Sequence, residues 1–217
     1  MRNALKITAI LAFAVCVCAN AQTKPAQKKP AKPTAVKPTA TKPSPAPAAA
    51  PGSGPILVME TVKGTIEIET YPEDAPKTVA HVVALVKKGF YNGIRFHRVV
   101  PNFVIQGGDP QSRDMSKKDL WGIAGPQSGS GKPIGVAEFS KRRLHRIGAV
   151  AMAHAGDPRL ADSQFYIVTG PASHLDGRHA VFGQVIVGDD VPAKIQAADV
   201  ITKVSLKAAA PGGARKP

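Results

Sequence analysis

Two apolar runs with a period of two open the patterned part of the chain. Ile56 to Val62 and Thr65 to Thr70 flank Lys63-Gly64, and Thr65-Ile66-Glu67-Ile68-Glu69 alternates cleanly, so the spacing predicts a hairpin with one side facing water. The period then changes. From Pro76 to about Lys88, Val79, Val82, Val83 and Val86 recur at helical spacing, with proline at the start and Gly89 at the end, which predicts a helix. Strands are predicted at Arg95–Val100, Val104–Gly107, Ile147–Ala153, Gln164–Thr169 and Val181–Val187, a second helix at Val191–Ala198 and a closing strand at Asp199–Lys207. The Gly-, Ser- and Pro-rich stretch from Asp109 to Pro133 is long for a structureless loop unless it serves binding, so it is expected to flank a groove. Many short strands with two widely separated helices predict a mainly β fold, a closed antiparallel barrel formed by residues 56–206 as one domain. There is no internal repeat.

The two ends are patterned differently. The first 21 residues have the form of a bacterial secretion signal, with Arg2 and Lys6, an apolar stretch from Ile7 to Ala19, and the small-x-small site Ala19-Asn20-Ala21. The apolar run is shorter than the roughly 20 residues a membrane-spanning helix needs. Cys16 and Cys18 lie inside it behind Val15 and Val17, whereas a lipid-acceptor cysteine follows a small residue. Cleavage after Ala21 is therefore expected rather than lipidation. It leaves no cysteine, and the fold must stand on its own core without disulfides.

Residues 22–55 hold nine prolines, six lysines and no acid, and are expected to stay disordered and solvated. In polyproline II form these 34 residues reach roughly 100 Å, as a passive spacer or as an electrostatic tether to an anionic envelope surface. Residues 207–217 read as a flexible tail. The net charge of +14 divides into +2 on the signal, +6 on the linker and +3 on the tail, leaving +3 for residues 56–206. A basic total ordinarily points to nucleic acid. Here the excess sits in the ends and export removes the chain from nucleic acid, so no such partner is expected. These readings place the protein outside the cytoplasm, in the periplasm, as a monomer.

Candidate chemistry centres on an arginine. Arg98 stands in the alternating run RFHRVV, and period two puts Phe96, Arg98 and Val100 on one face. A guanidinium among apolar groups is costly unless something planar and polar docks on it, which suits a site gripping an amide carbonyl beside an apolar pocket. Four segments carry the rest of the signal: Phe96 to Asp109 (FHR-x-x-P-x-F-x-x-QGGD), Met152 to Ala155, Ser163 to Tyr166 (SQF followed by an aromatic), and Leu175 to Gly183 (LDG-x-H-x-VFG).

In order and spacing these segments resemble the cyclophilin family of peptidyl-prolyl cis-trans isomerases, over roughly residues 56–206. The resemblance implies an eight-stranded barrel capped by two α-helices with its groove on the outer wall, and rotation about X–Pro bonds of polypeptide substrates. It also implies a catalytic role for Arg98, and a proline pocket lined by Phe103, Val104, Tyr166 and Leu175. Val104 stands where methionine is usual and Tyr166 where phenylalanine is usual, both keeping apolar bulk. Gln106 and Gln164 match polar residues beside the arginine. Ala153 and His154 match the segment whose backbone pairs with the residue before proline, with His154 where asparagine is common. His179 matches a groove histidine that packs and hydrogen-bonds. His174 takes the place of a tryptophan in cyclosporin-sensitive members, so drug sensitivity is expected to be reduced more than catalysis.

The barrier to X–Pro rotation, about 18–20 kcal/mol, comes from amide resonance, which is lost in the twisted state. A donor near the pyramidal nitrogen favours that state over either ground state, with no nucleophile, metal or cofactor. The histidines have no zinc-type spacing, so no metal is expected. A non-catalytic peptide-binding module is the alternative use of such a groove. The intact set Arg98, Phe103 and Gln106 favours catalysis.

Overall fold

The computed structural model describes residues 51–123 and 128–207, so the expected secretion signal with Cys16 and Cys18, most of the linker and the tail after Lys207 lie outside the described residues. Eight antiparallel strands form one curled sheet: β1 (Leu57–Thr61), β2 (Gly64–Thr70), β3 (Arg98–Val100), β4 (Val104–Gly107), β5 (Ala149–Met152), β6 (Phe165–Val168), β7 (Val181–Val187) and β8 (Ile201–Leu206). Their spatial order is β3-β4-β6-β5-β7-β2-β1-β8.

The expected closed barrel is corrected to an open, curled half-barrel, because edge strands β3 and β8 form no ladder with each other. The seam is stitched by the chain just before β3. Arg95 and Val200 make an isolated bridge, Phe96 N–H donates to the Asp199 carbonyl at 3.0 Å, and Ile201 N–H donates to that of Ile94 at 2.8 Å. A segment that pairs across to residues 198–201 cannot also extend the ladder on β4, so the strand predicted at Arg95–Val100 shortens to its last three residues.

The same diversion breaks the alternation. Phe96 is fully buried in the main core and Val99 packs against that core, while Arg98 is exposed. Phe96 therefore does not share a face with Arg98, contrary to the period-two reading.

Helix α1 (Pro76–Lys87) matches its prediction and buries Val79, Val82, Leu85 and Val86 in the main core. Ala75 at its start offers no side-chain cap. The Glu138 carboxylate takes that role from a distant loop, accepting from Lys77 N–H at 3.0 Å and Thr78 N–H at 2.8 Å, where orphan donors and the helix dipole favour an anion. Helix α2 spans only Val191–Lys194, half the expected length, because Ile195 is already extended. Ala198, with φ 73°, turns its N–H onto the Phe96 carbonyl to build the seam.

Residues 51–55, expected within the disordered linker, run along the end of β2. Gly52 N–H donates to Glu69 at 3.0 Å and Gly54 N–H to the Thr70 carbonyl at 3.3 Å. A Cβ at Gly52 would lie 2.3 Å from the Thr70 carbonyl oxygen, so glycine is what permits this approach.

Alternation along β4, β5, β6 and β7 sorts side chains onto two apolar layers. Ile105, Val150, Met152, Phe165, Ile167 and Phe182 point into the half-barrel with the helix residues. That interior retains a void of about 10 Å³, no larger than the smallest space that holds a water. Val104, Ala149, Ala151, Tyr166, Val168 and Val181 form a second cluster on the outer face.

Candidate active site

On that outer face lies a groove of about 810 Å³, within the range typical of ligand sites. Arg98, Phe103, Val104, Gln106, Ala153, His154, Gln164, Tyr166, His174, Leu175 and His179, all singled out from the sequence, line it. They arrive from β3, β4 and β6, the segment after β5, and the turn that follows β6. The expectation that Asp109–Pro133 flanks a groove is met at Gly122, Ser128, Gly129, Gly131 and Pro133. The loop also folds back on itself in two short 3-10 turns, Pro110–Arg113 and Met115–Leu120.

Arg98 pairs in register with Gln106 across β3 and β4. Its Nη1 approaches Gln106 Oε1 at 3.4 Å, and among the described residues it forms no ion pair. Gln106 Nε2 donates to Gln164 Oε1 at 3.0 Å, and Gln164 Nε2 donates to the Ser128 carbonyl at 3.0 Å. Each amide is thereby oriented by the next, with an oxygen turned toward the guanidinium. Gly108, at φ 96°, brings β4 and the Ser163 main chain together at the relay's base. A Cβ there would stand 2.3 Å from the Ser163 carbonyl oxygen.

The apolar end of the groove is built on Val104 and Tyr166, both buried, with half-buried Phe103 and Leu175 packed against their cluster. The exposed His174 ring stacks on Phe103, centroids 5.3 Å apart and planes 21° apart. His154 and His179 stack at 4.3 Å. His154 Nε2 reaches the Arg178 carbonyl at 3.0 Å, and His179 Nδ1 the Met152 carbonyl at 3.0 Å. Since a carbonyl only accepts, both nitrogens carry hydrogen. Burial, aided by His154, His145 and Arg178, lowers the His179 pKa to about 4 against the pull of its Met152 bond, so the ring is neutral near pH 7. Ala153 N–H donates to the Gln164 carbonyl at 2.9 Å.

Four residues that the sequence reading gave no role help to build the site: Asp162, which lines the groove, His145, and two that lie inside quoted motifs, Asp176 in LDG and His97 in FHR. Asp162 Oδ2 accepts from Gly131 N–H at 2.9 Å, while its Oδ1 meets the Ser130 hydroxyl and, at 3.1 Å, His81 Nε2 of α1. It pins the loop whose Ser128 carbonyl anchors the glutamine relay. Burial alone would raise the Asp162 pKa, but the bonds from His81 and Ser130 bring it below its ordinary value. His145 and Asp176 lie beneath Tyr166, joined to it through His145 Nε2 at 2.8 Å. One signal was available for these two: a tyrosine hydroxyl in an otherwise apolar set needs a buried partner. His97, between Phe96 and Arg98, packs against Gly122 with neither ring nitrogen bonded among the described residues, and burial lowers its pKa. Among the described residues no cluster of three or more His, Cys, Asp or Glu is arranged to hold a metal.

A family model for the cyclophilin type peptidyl-prolyl cis-trans isomerase/CLD matches residues 56–210. The peptidyl-prolyl cis-trans isomerase B of Bacillus subtilis is 41% identical over 142 residues, covering 65% of this chain and 90% of that protein. A spliceosome-associated protein CWC27 homolog of Danio rerio is 38% identical over 150 residues, covering 69% of this chain but 29% of that longer protein. Among solved structures, a Cryptosporidium parvum cyclophilin type peptidyl-prolyl cis-trans isomerase shares the fold with a TM-score of 0.61 at 24% identity, covering 72% of this chain and 99% of its own. With the family model spanning most of the chain and the groove on the sheet's outer face, the chain belongs to the cyclophilin family and is a peptidyl-prolyl cis-trans isomerase.

Proposed function

We propose that this chain speeds cis-trans rotation of X–Pro bonds in exported polypeptides during their folding, and that Arg98 supplies the stabilisation of the twisted amide. The observation that carries the reading is an arginine free of any carboxylate partner among the described residues, aimed by a glutamine relay beside an apolar pocket. The prolyl ring sits against Phe103, Val104, Tyr166 and Leu175. The preceding residue lies along Ala153 and His154, where the Ala153 N–H is already bonded in the sheet and its carbonyl is the group that meets a substrate N–H. The guanidinium holds the substrate carbonyl and donates toward the prolyl nitrogen as conjugation is lost, so its interaction strengthens at the barrier top. No proton is transferred, which agrees with groove histidines that serve as packing and donor groups.

The location outside the cytoplasm rests on the Arg2, Lys6 and Ala19-Asn20-Ala21 pattern, and the lysine-rich linker is read as a passive spacer, with electrostatic tethering to an anionic envelope surface as the alternative. The test is a protease-coupled isomerisation assay on a short X–Pro peptide. Arg98→Ala is expected to lose about 100-fold or more in kcat/KM, as removal of a preorganised transition-state donor does elsewhere. A folded Arg98→Ala variant within twofold of the unmodified protein overturns the assignment.

A further inference from the structure

We infer that His145 is a positioning residue of the proline pocket, holding the Tyr166 ring in the pocket wall through the Tyr166 hydroxyl. The inference deepens the isomerase reading and rests on it. His145 does not line the groove; it is 5% exposed and lies under Tyr166, which does.

The bonding direction follows from the partners. The main-chain N–H and Nδ1 of His145 both meet Asp176 Oδ1 at 2.8 Å. A carboxylate only accepts, so Nδ1 carries hydrogen. Burial lowers the His145 pKa against the pull of Asp176, which keeps the ring neutral and leaves Nε2 a bare acceptor. The Tyr166 hydroxyl, 2.8 Å away, is then the donor, and its own pKa is raised by burial and by Asp176. The hydroxyl is thus fixed pointing beneath the pocket, with the two rings 17° from parallel.

Three separate stretches that shape the pocket meet at this chain of bonds. His145 precedes β5, Tyr166 lies on β6, and Asp176 directly follows the 3-10 turn Ser173–Leu175 that carries His174 and Leu175. Without its acceptor the buried hydroxyl has to find another partner. The nearest route is for the ring to swing toward the wet groove, which narrows the place where the prolyl ring sits. That ring is common to the cis, trans and twisted states, so the loss is one of uniform binding. It raises KM and leaves kcat in place.

The test is a double-mutant cycle on the full chain, reading KM and kcat for a short X–Pro peptide, with thermal unfolding confirming that each variant folds. His145→Leu is expected to raise KM about tenfold, the cost of stranding one buried hydroxyl, with kcat within about twofold. Adding Tyr166→Phe to His145→Leu removes the stranded group and recovers most of the affinity, since replacing both partners by apolar groups is close to neutral. His145→Gln, whose Oε1 offers an acceptor, recovers part of it. A merely space-filling role for His145 predicts no recovery from Tyr166→Phe, and that result overturns the inference, as does a fall in kcat at constant KM.

A second measurement needs no variant. Imidazole ¹⁵N shifts of the unmodified protein report whether His145 carries its hydrogen on Nδ1, as required, or on Nε2, which overturns the inference. Turnover by the unmodified protein tests the isomerase reading separately, because neither the tautomer nor the ratio of KM values between variants depends on the absolute rate.

Discussion

Under the proposed role of Arg98, Gln106→Ala separates the contribution of preorganising the arginine from that of the arginine itself. Arg98 is exposed, forms no ion pair among the described residues, and its side-chain hydrogen bond is to Gln106 Oε1 at 3.4 Å. That distance is beyond the usual hydrogen-bond range of about 2.7–3.2 Å, so the resting interaction belongs at the low end of the roughly 0.5–1.5 kcal/mol net worth of such bonds. What the relay supplies is order. Gln106 is fixed by Gln164 at 3.0 Å, and Gln164 by the Ser128 carbonyl at 3.0 Å, so the oxygen that aims Arg98 does not wander. An arginine side chain carries about 2 kcal/mol of rotamer entropy, which bounds the penalty of releasing it. Between about 1 and 2 kcal/mol the expected loss in kcat is roughly 5- to 30-fold, below that of Arg98→Ala. KM stays near its original value, because the pocket at Val104 and Tyr166 is untouched. The protease-coupled assay, with circular dichroism to confirm folding, decides it. If kcat of Gln106→Ala stays within twofold of the unmodified protein, the relay does not position Arg98. If the loss equals that of Arg98→Ala, the glutamine acts on the substrate itself.

Three further outcomes follow from other parts of the molecule. Arg143 and Asp74, each with side chains 4% exposed and 2.8 Å apart, form a buried ion pair under the start of α1; Arg143 keeps Glu73 at 2.9 Å when Asp74 is removed, so Asp74→Ala is expected to destabilise by about 1.5–3 kcal/mol in urea unfolding while kcat/KM of the folded fraction is kept. His179 has a folded-state pKa of about 4 against about 6.5 unfolded, so its contribution is full above pH 6.5 and is lost as pH falls toward 4, on the order of 3 kcal/mol in all; denaturant titrations at several pH values should show this slope, and His179→Gln should flatten it. His174→Trp is expected to tighten cyclosporin binding about tenfold, since roughly 60 Å² more apolar contact on the Phe103 shelf is worth about 1.5 kcal/mol, and equal inhibition constants for the two proteins refute the placement of His174 at the drug-contacting position.

What was legible in the sequence was whatever local repetition encodes. The β1–β2 hairpin, α1 and β7 appear where the apolar period places them, because a half-buried strand and an amphipathic helix each leave a periodic record. Periodicity is silent about where a chain leaves its ladder. The diversion at Arg95 and Phe96 toward β8 is set by long-range bonds to Asp199, Val200 and Ile201, more than a hundred residues away, and no local pattern announces it. The same holds for α2, where the turn at Ala198 serves the seam rather than the helix. The groove residues were reached through motif resemblance, because Val104 or Tyr166 alone would read as ordinary core.

The residues to which the resemblance gave no role share one property: each acts on the site by holding another part of it in place. Asp162 fixes the loop that fixes Gln164, and Glu138 caps the helix on which His81 meets Asp162. His145 and Asp176 hold a ring whose far side forms the pocket. Such residues are polar and at least half-buried, and their partners lie 21 or more positions away, so neither spacing nor composition marks them. What gives them away is unmet demand. A buried tyrosine hydroxyl, a helix start without a capping side chain and an amide that must present its oxygen each require a partner somewhere in the chain. Satisfying those requirements is what turns an outer-face cluster of small and aromatic side chains into a groove with one fixed shape. An arginine on the edge strand of that face then needs little more than a glutamine to become a directed donor.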